Sequence, residues 1–122
     1  MSARVLVVDD SALARRSSRR ILENAGYEVV EADDGMSALE QYFVQKPAVV
    51  ILDLVMKGMY GLDVLAKLRE MDPEVRVVVV SADVQTSSRE LVELGGGVGF
   101  LTKPVDADTL VSTVRRVLQE LS

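Results

Sequence analysis

Three short, uninterrupted apolar runs constrain the fold of this chain more than any other feature. They are Val5 to Val8, Val49 to Leu52 and Val77 to Val80, and most of their residues are β-branched. A run without polar alternation is typical of a parallel strand that helices bury on both faces. Two weaker runs, Glu28 to Ala32 and Gly99 to Thr102, predict flanking strands. The sequence therefore predicts a sheet of parallel strands.

Helical patterns occupy the stretches between these runs. In the first stretch, small and apolar side chains recur at the helical period on one side, and arginines lie on the other. The first side comprises Ala14, Ser17, Ser18, Ile21, Leu22 and Ala25, and the other comprises Arg15, Arg16, Arg19 and Arg20. Ser11 is the expected N-cap of this helix, and Gly26 is its expected stop.

The remaining helices complete a regular alternation of strand and helix. We expect helices at roughly 35–45, 62–71 and 87–94, with Asp72-Pro73 closing the second of these. The last helix follows the acidic residues Asp106 and Asp108. Its apolar stripe comprises Leu110, Val111, Val114, Val117, Leu118 and Leu121. Right-handed crossovers then require a doubly wound α/β fold, a five-stranded parallel sheet flanked by five helices.

Composition limits the chemistry that this chain can perform. Its 122 residues suit one domain over residues 1–122, and they include neither cysteine nor histidine. Any metal must therefore be bound through oxygen. The net charge of −5 disfavours binding to nucleic acid or to anionic lipid. Because the apolar runs are far shorter than the ~20 residues of a membrane span, we expect a soluble, cytoplasmic protein.

Isolated polar residues follow the predicted strands at their carboxyl ends. Asp9 and Asp10 end the first apolar run, and Asp53, Ser81 and Lys103 end three later ones. The carboxyl ends of parallel strands meet in one crevice, so we expect these five side chains to converge. Taken singly, an Asp at a strand end is commonly a turn former or an N-cap. The joint pattern instead favours a site for a divalent metal and a phosphoryl group.

Each of these residue types has a use in phosphoryl transfer. A Mg²⁺ ion takes one or two protein carboxylates, which Asp10 and Asp53 could supply. Asp53 is the candidate nucleophile, because a carboxylate can attack phosphorus and form an acyl phosphate. Lys103 and Ser81 would bind the charged phosphoryl oxygens.

The chain resembles the response-regulator receiver domains of two-component signalling, the CheY type, over essentially its whole length. The matching segments are VLVVDDS at Val5 to Ser11, GYEVVEADDG at Gly26 to Gly35, VVILDL at Val49 to Leu54, VVVVSA at Val77 to Ala82 and VGFLTKP at Val98 to Pro104. The resemblance implies the CheY-like strand order 2-1-3-4-5. It also implies a cis bond between Lys103 and Pro104.

The resemblance also implies a role for each site residue. Asp53 would be the phosphoacceptor. Asp10 would contact Mg²⁺ directly, Asp9 would act on the ion indirectly, and the backbone carbonyl of Val55 would complete the protein ligands. The switch residues would be Ser81 and Phe100, and the phosphate-binding ammonium would belong to Lys103.

The same resemblance implies a signalling switch rather than an enzyme with a separate substrate. The expected partners are a histidine kinase or phosphotransfer protein and an unknown downstream protein, with no direct nucleic acid or membrane contact, and the chain would be a monomer or weak dimer. Catalysis would be limited to its own Mg²⁺-dependent phosphorylation and dephosphorylation.

Two alternatives and two departures accompany this interpretation. An aspartyl-phosphate phosphatase usually has a second Asp two residues after the nucleophile, where this chain has Val55. A pseudo-receiver that only binds proteins is disfavoured, because every pocket residue is present.

The segment Met56 to Gly61 departs from the family's usual Met-Pro-x-Met-Asp-Gly. The run Gly95 to Gly97 predicts either a helix stop, which we favour, or a mobile approach to the last strand.

Overall fold

The computed structural model describes residues 2–56, 60–82 and 86–119, with the backbone alone for 86–88. The strands are β1 (Arg4–Val8), β2 (Glu28–Ala32), β3 (Val49–Asp53), β4 (Val77–Ser81) and β5 (Gly99–Thr102). The helices are α1 (Ala12–Asn24), α2 (Gly35–Gln45), α3 (Gly61–Met71), α4 (Thr86–Leu94) and α5 (Ala107–Gln119). Strand and helix alternate along the chain as predicted.

The strands form one parallel sheet in the order β2-β1-β3-β4-β5, which confirms the predicted fold. The three uninterrupted apolar runs become β1, β3 and β4, the central strands. Their side chains are buried because helices cover both faces of the sheet. β1 therefore lies between β2 and β3, and the carboxyl ends of all five strands share one edge.

Successive side chains of each strand enter two different cores. One core lies under α2, α3 and α4 and includes Leu6, Leu52 and Val79 from the central strands. The other lies under α1 and α5. It includes Val5 and Ile51 from the sheet. The predicted stripe of α5 faces this second core at its buried positions Leu110, Val114 and Val117, while its last predicted member, Leu121, lies outside the described residues.

The first helix begins and ends where its sequence predicts. The Ser11 hydroxyl accepts a hydrogen bond from the Ala14 amide at 3.2 Å, and the helix closes before Gly26. Leu22 is buried on the predicted apolar face, but Ser17 is exposed. The difference arises because the first turns of α1 stand over a surface cavity rather than over the sheet.

The glycine run after α4 is a helix stop. Gly96 has a φ of 92°, in the left-handed region that favours glycine, and its amide donates to the carbonyl of Glu93 at 3.0 Å. This agrees with the interpretation favoured from the sequence.

No helix in the described part of the chain is both long enough and apolar enough to cross a membrane.

Candidate functional site

The carboxyl edge of the sheet brings three carboxylates together. Asp9 and Asp10 directly follow β1, and Asp53 is the last residue of the neighbouring strand β3. One carboxylate oxygen from each residue lies within 4.8 Å of the others. Asp9 and Asp53 are buried, with 7% and 6% of their surface exposed, whereas Asp10 is exposed. The cluster is therefore open to solvent on the side of Asp10.

Lys103 reaches the same cluster from the far side of the sheet. It follows β5, and its Nζ lies 3.0 Å from Asp9 Oδ2 and 3.3 Å from Asp53 Oδ2. The bond from Lys103 to Pro104 is cis, as the resemblance implies. One ammonium thus bridges two of the three carboxylates, those of Asp9 and Asp53.

Backbone amides hold the remaining oxygens of the two buried carboxylates. Asp9 Oδ1 accepts from the Ser11 amide at 2.9 Å, and Asp53 Oδ1 accepts from the Val55 amide at 3.3 Å. Both loops are tied to the sheet as well, because the Asp9 amide donates to the Ala32 carbonyl at 3.2 Å and the Leu54 amide donates to the Val80 carbonyl at 2.9 Å. These bonds fix the direction in which each carboxylate points.

Burial and the nearby charge of Asp9 raise the pKa of Asp53. Burial contributes most, because it disfavours the ionised carboxyl, and the charge of Asp9 adds to it, while Lys103 opposes both. Burial lowers the pKa of Lys103, but its hydrogen bond to Asp9 and the charges of both carboxylates outweigh burial and raise it. Lys103 therefore stays charged, and the site still holds more negative charge than this one ammonium neutralises.

The donor set fits a hard divalent cation. All available side-chain ligands are carboxylate oxygens, the type that Mg²⁺ prefers, and the chain has no cysteine or histidine to favour a softer metal. Asp9, Asp10 and Asp53 would surround such an ion. The Val55 backbone runs beside Asp53, but the contribution of its carbonyl remains a prediction.

The two residues predicted to act as a switch lie on the neighbouring strands. Ser81 ends β4 and is buried, and its carbonyl accepts from the Lys103 amide at 2.9 Å. Phe100 lies on β5, half-buried against the core under α2–α4, away from the carboxylates. The guanidinium of Arg89 in α4 stands 5.3 Å from the centre of its ring.

A cavity of about 510 Å³ opens beside the cluster. Asp9, Asp53 and Lys103 lie on its wall. The rest of the wall is largely apolar and comes from the sheet, α1 and the turn after β5. It includes Val7, Ala14, Ile21, Ile51, Pro104 and Val105. A partner molecule could thus reach the carboxylates along an apolar surface.

The sequence analysis missed one residue of the site. Arg15, assigned to the solvent side of the first helix, has only 16% of its side chain exposed, donates from Nη1 to the Asp9 carbonyl at 2.6 Å and pairs with Glu31. A charged residue one turn inside a helix that directly follows an acidic pair is a signal that could have found it.

Part of the predicted surroundings lies outside the described residues. This applies to Lys57, Gly58 and Met59, which carry the departure after Asp53, and to Asp83, which follows Ser81 by two positions.

Comparisons with known proteins agree with this geometry. A family model described as the response regulator receiver domain matches residues 5–115. The chemotaxis protein CheY of Thermotoga maritima is 35% identical over 118 residues, covering 96% of this chain and 98% of the relative. The solved structure of CheY4 of Vibrio cholerae superposes with a TM-score of 0.93 at 31% identity, covering 97% of this chain and 100% of that chain.

A third comparison includes bound groups. A chain of the CheX–CheY–BeF₃–Mg²⁺ complex of Borrelia burgdorferi superposes with a TM-score of 0.90 at 28% identity, covering 94% of this chain and 88% of that chain. With its strand order, its carboxylate cluster and a family match over most of its length, the chain belongs to the response regulator receiver domain family, whose members act in two-component signalling.

Proposed function

We propose that this receiver domain is a phosphorylation-controlled switch in which Asp53 accepts a phosphoryl group. The observation that carries the proposal is the placement of the Asp53 carboxylate between Lys103 Nζ at 3.3 Å and two further carboxylates. Such an arrangement surrounds one potential nucleophile with a fixed cation and a site for a second cation. Neutralising charge on both sides of a phosphoryl group is the main requirement for its transfer.

The donor would be a phosphohistidine of a histidine kinase or of a phosphotransfer protein. An Asp53 carboxylate oxygen attacks phosphorus and forms a phosphorus–oxygen bond as the phosphorus–nitrogen bond of the donor breaks, and the leaving imidazole takes a proton from solvent. Asp10 and Asp53 would hold Mg²⁺ directly and Asp9 would do so indirectly, and the ion would supply positive charge to the phosphoryl oxygens. The beryllofluoride and Mg²⁺ in the Borrelia burgdorferi complex support the same pairing of cation and phosphoryl-like group.

The chain's own residues would then report the new group. Lys103 bridges Asp9 and Asp53 before phosphorylation, and a phosphoryl oxygen on Asp53 would offer it a more highly charged acceptor. Ser81, buried at the end of β4, would donate its hydroxyl to another phosphoryl oxygen, and Phe100 would change rotamer as β4 and β5 respond. A downstream protein would recognise the altered surface.

The test is Mg²⁺-dependent labelling of the protein by radiolabelled acetyl phosphate. Wild-type protein should be labelled, and Asp53→Asn should not, because the amide has the same shape but is a poor nucleophile. Asp63→Asn, at the exposed first turn of α3, is the matched control and should be labelled normally. Stable labelling of Asp53→Asn would show that another residue is the acceptor.

The same experiment separates the alternatives. A pseudo-receiver would stay unlabelled although folded. An aspartyl-phosphate phosphatase would turn over the donor rapidly, but the position two residues after Asp53 is Val55, an exposed hydrocarbon side chain that supplies no acid. The structure therefore offers no observation that favours the phosphatase.

A further inference from the structure

The loop between β1 and α1 carries both Asp9 and Asp10, and Arg15 holds the peptide unit between them. Arg15 Nη1 donates to the Asp9 carbonyl at 2.6 Å. That carbonyl and the Asp10 amide belong to the same planar unit, so the orientation of one fixes the other. The guanidinium therefore restrains the backbone from which both carboxylates project.

A row of ionic contacts holds Arg15 itself in place. Its Nε lies 3.1 Å from Glu31 Oε1 on β2, and the other oxygen of Glu31 lies 2.6 Å from Arg19 Nη1. Arg19 also pairs with Glu23 one turn later at 3.2 Å. Because Arg15 and Glu31 are half-buried, their pair is screened less than an ordinary surface pair. We call Arg15 and Glu31 the loop clamp.

The loop clamp spans three elements that meet at the acidic site. Glu31 stands opposite Val7 in the pairing of β1 with β2, and Arg15 lies in the first turns of α1. The clamp thus joins the end of β2, the end of β1 and the start of α1 around the loop that carries the acidic pair. A planar guanidinium suits this task because it can donate to two acceptors in fixed directions.

We propose that Arg15, held by Glu31, is a positioning residue that orients Asp9 and Asp10 for the divalent cation. The proposal rests on the proposed function insofar as that function requires Mg²⁺ at these carboxylates. Mutation of a residue that holds a metal ligand in place typically lowers the metal affinity by about 10–100-fold, although the residue does not contact the ion.

Electrostatics alone makes the opposite prediction for Arg15. Removing a positive charge near three carboxylates should tighten cation binding, because the ion then meets less repulsion. Removing the negative charge of Glu31 should weaken it for the same reason. Positioning instead predicts that both Arg15→Met and Glu31→Ala weaken Mg²⁺ binding, although they change the net charge in opposite directions. The two explanations therefore differ in the sign of the Arg15 effect.

The experiment is an NMR titration of the full chain with Mg²⁺. We expect Arg15→Met to raise the dissociation constant by about tenfold or more, and Glu31→Ala to raise it as well. The matched control is Arg16→Met, which removes the same charge from the adjacent, exposed position. The dissociation constant of Arg15→Lys should lie between those of wild type and Arg15→Met. An ammonium can reach the carbonyl but cannot hold both acceptors as the planar guanidinium does. Equal or tighter binding by Arg15→Met would refute the proposal.

A second measurement needs no metal. Without the clamp the Asp9–Asp10 peptide can turn, so the hydrogen bond from the Ser11 amide to Asp9 Oδ1 should open more often. Hydrogen exchange at Ser11 should then be faster in Arg15→Met than in Arg16→Met, while amides of β3 exchange at equal rates in both. If wild type fails to bind Mg²⁺, the proposed function is wrong, and exchange at Ser11 still decides the role of Arg15. Unchanged exchange at Ser11 would exclude positioning.

Discussion

At the scale of single residues, the ionised carboxylate of Asp53 destabilises the folded protein as long as no additional cation is bound beside it. Its raised pKa means that the fold disfavours its ionised form. The folded state therefore binds this proton more tightly than the unfolded chain does, and Asp53 destabilises the fold progressively as pH rises through its raised pKa. A cation that binds at this site would relieve the unfavourable free energy of the buried charge.

The raised pKa of Asp53 predicts the effect of Asp53→Asn on stability. In EDTA, the variant should melt at a higher temperature than wild type at neutral pH, because it removes a buried charge beside Asp9. The difference should shrink toward acid pH, where wild-type Asp53 is protonated. Thermal unfolding of both proteins across that range, followed by circular dichroism, measures it. A variant that melts lower than wild type at neutral pH would contradict the shifted pKa.

Lys103 predicts a separation of chemistry from response. Lys103→Ala should still accept some phosphoryl group through Asp53 but should lose the coupling to Phe100, since the ammonium that contacts Asp9 and Asp53 is gone. Aromatic NMR signals of Phe100, recorded with and without Mg²⁺ and beryllofluoride, report this coupling. A shift equal to that of wild type would show that the signal travels by another route.

The lifetime of the phosphorylated form should depend on Val55. Hydrolysis requires a water in line with the acyl phosphate, and the side chain of Val55, which is 60% exposed, can crowd that water but cannot hydrogen-bond to it. Val55→Asn should accelerate loss of phosphate by about tenfold if one oriented water lowers the barrier by ~1.4 kcal/mol. Decay of radiolabelled protein gives the rate. An unchanged or longer half-life would show that the Val55 side chain does not slow hydrolysis.

At the scale of elements, the first residue of α3 lies in direct contact with the backbone at the end of β3, the strand that carries Asp53. The Gly61 amide donates to the Leu54 carbonyl at 2.8 Å, and a Cβ on Gly61 would lie 2.6 Å from Leu54 Cα. No side chain fits there without moving the backbone next to Asp53. The absence of a side chain at this one position lets helix and strand approach closely enough to fix the site.

Gly61→Ala should therefore damage both stability and site. We expect a loss of about 1–3 kcal/mol in the free energy of unfolding, the usual cost of overpacking, together with slower labelling of Asp53. Urea unfolding and acetyl phosphate labelling measure the two effects. Lys67→Ala, at an exposed position of the same helix, is the control and should change neither. If Gly61→Ala lost stability but kept the normal labelling rate, the approach of α3 would matter to the fold alone.

At the scale of the whole molecule, the sequence predicts the framework well because the burial pattern and the helix-end residues determine it. The runs that become β1, β3 and β4 have the uninterrupted apolar pattern of strands covered on both faces, and Ser11 and Gly26 mark the ends of α1. The sequence could have pointed to Arg15 as a neighbour of the acidic pair, but it could not predict the contact of Arg15 with the Asp9 carbonyl. That contact depends on a side-chain conformation and on the distance from α1 to β2, and no periodicity in the sequence encodes either.

The whole fold should also respond to the proposed ligands. Anything that binds only the folded state stabilises it, by about 2.7 kcal/mol at a hundredfold excess over its dissociation constant. Mg²⁺ with beryllofluoride should thus raise the melting temperature of wild type more than either component does. Thermal unfolding tests this, with Asp53→Asn as the control that should lose the added effect. An equal increase in that variant would place the binding elsewhere.

The bridge from Lys103 to Asp9 has a consequence for biosynthesis, since it joins residues 94 positions apart in the chain. A nascent chain emerging from the ribosome presents Asp9, Asp10 and Asp53 long before Lys103 is synthesised, and β5 must still dock beside β4 afterwards. Until then the carboxylates repel one another without their internal counter-ion. The domain can therefore complete its acceptor site only after β5 and Lys103 have been synthesised.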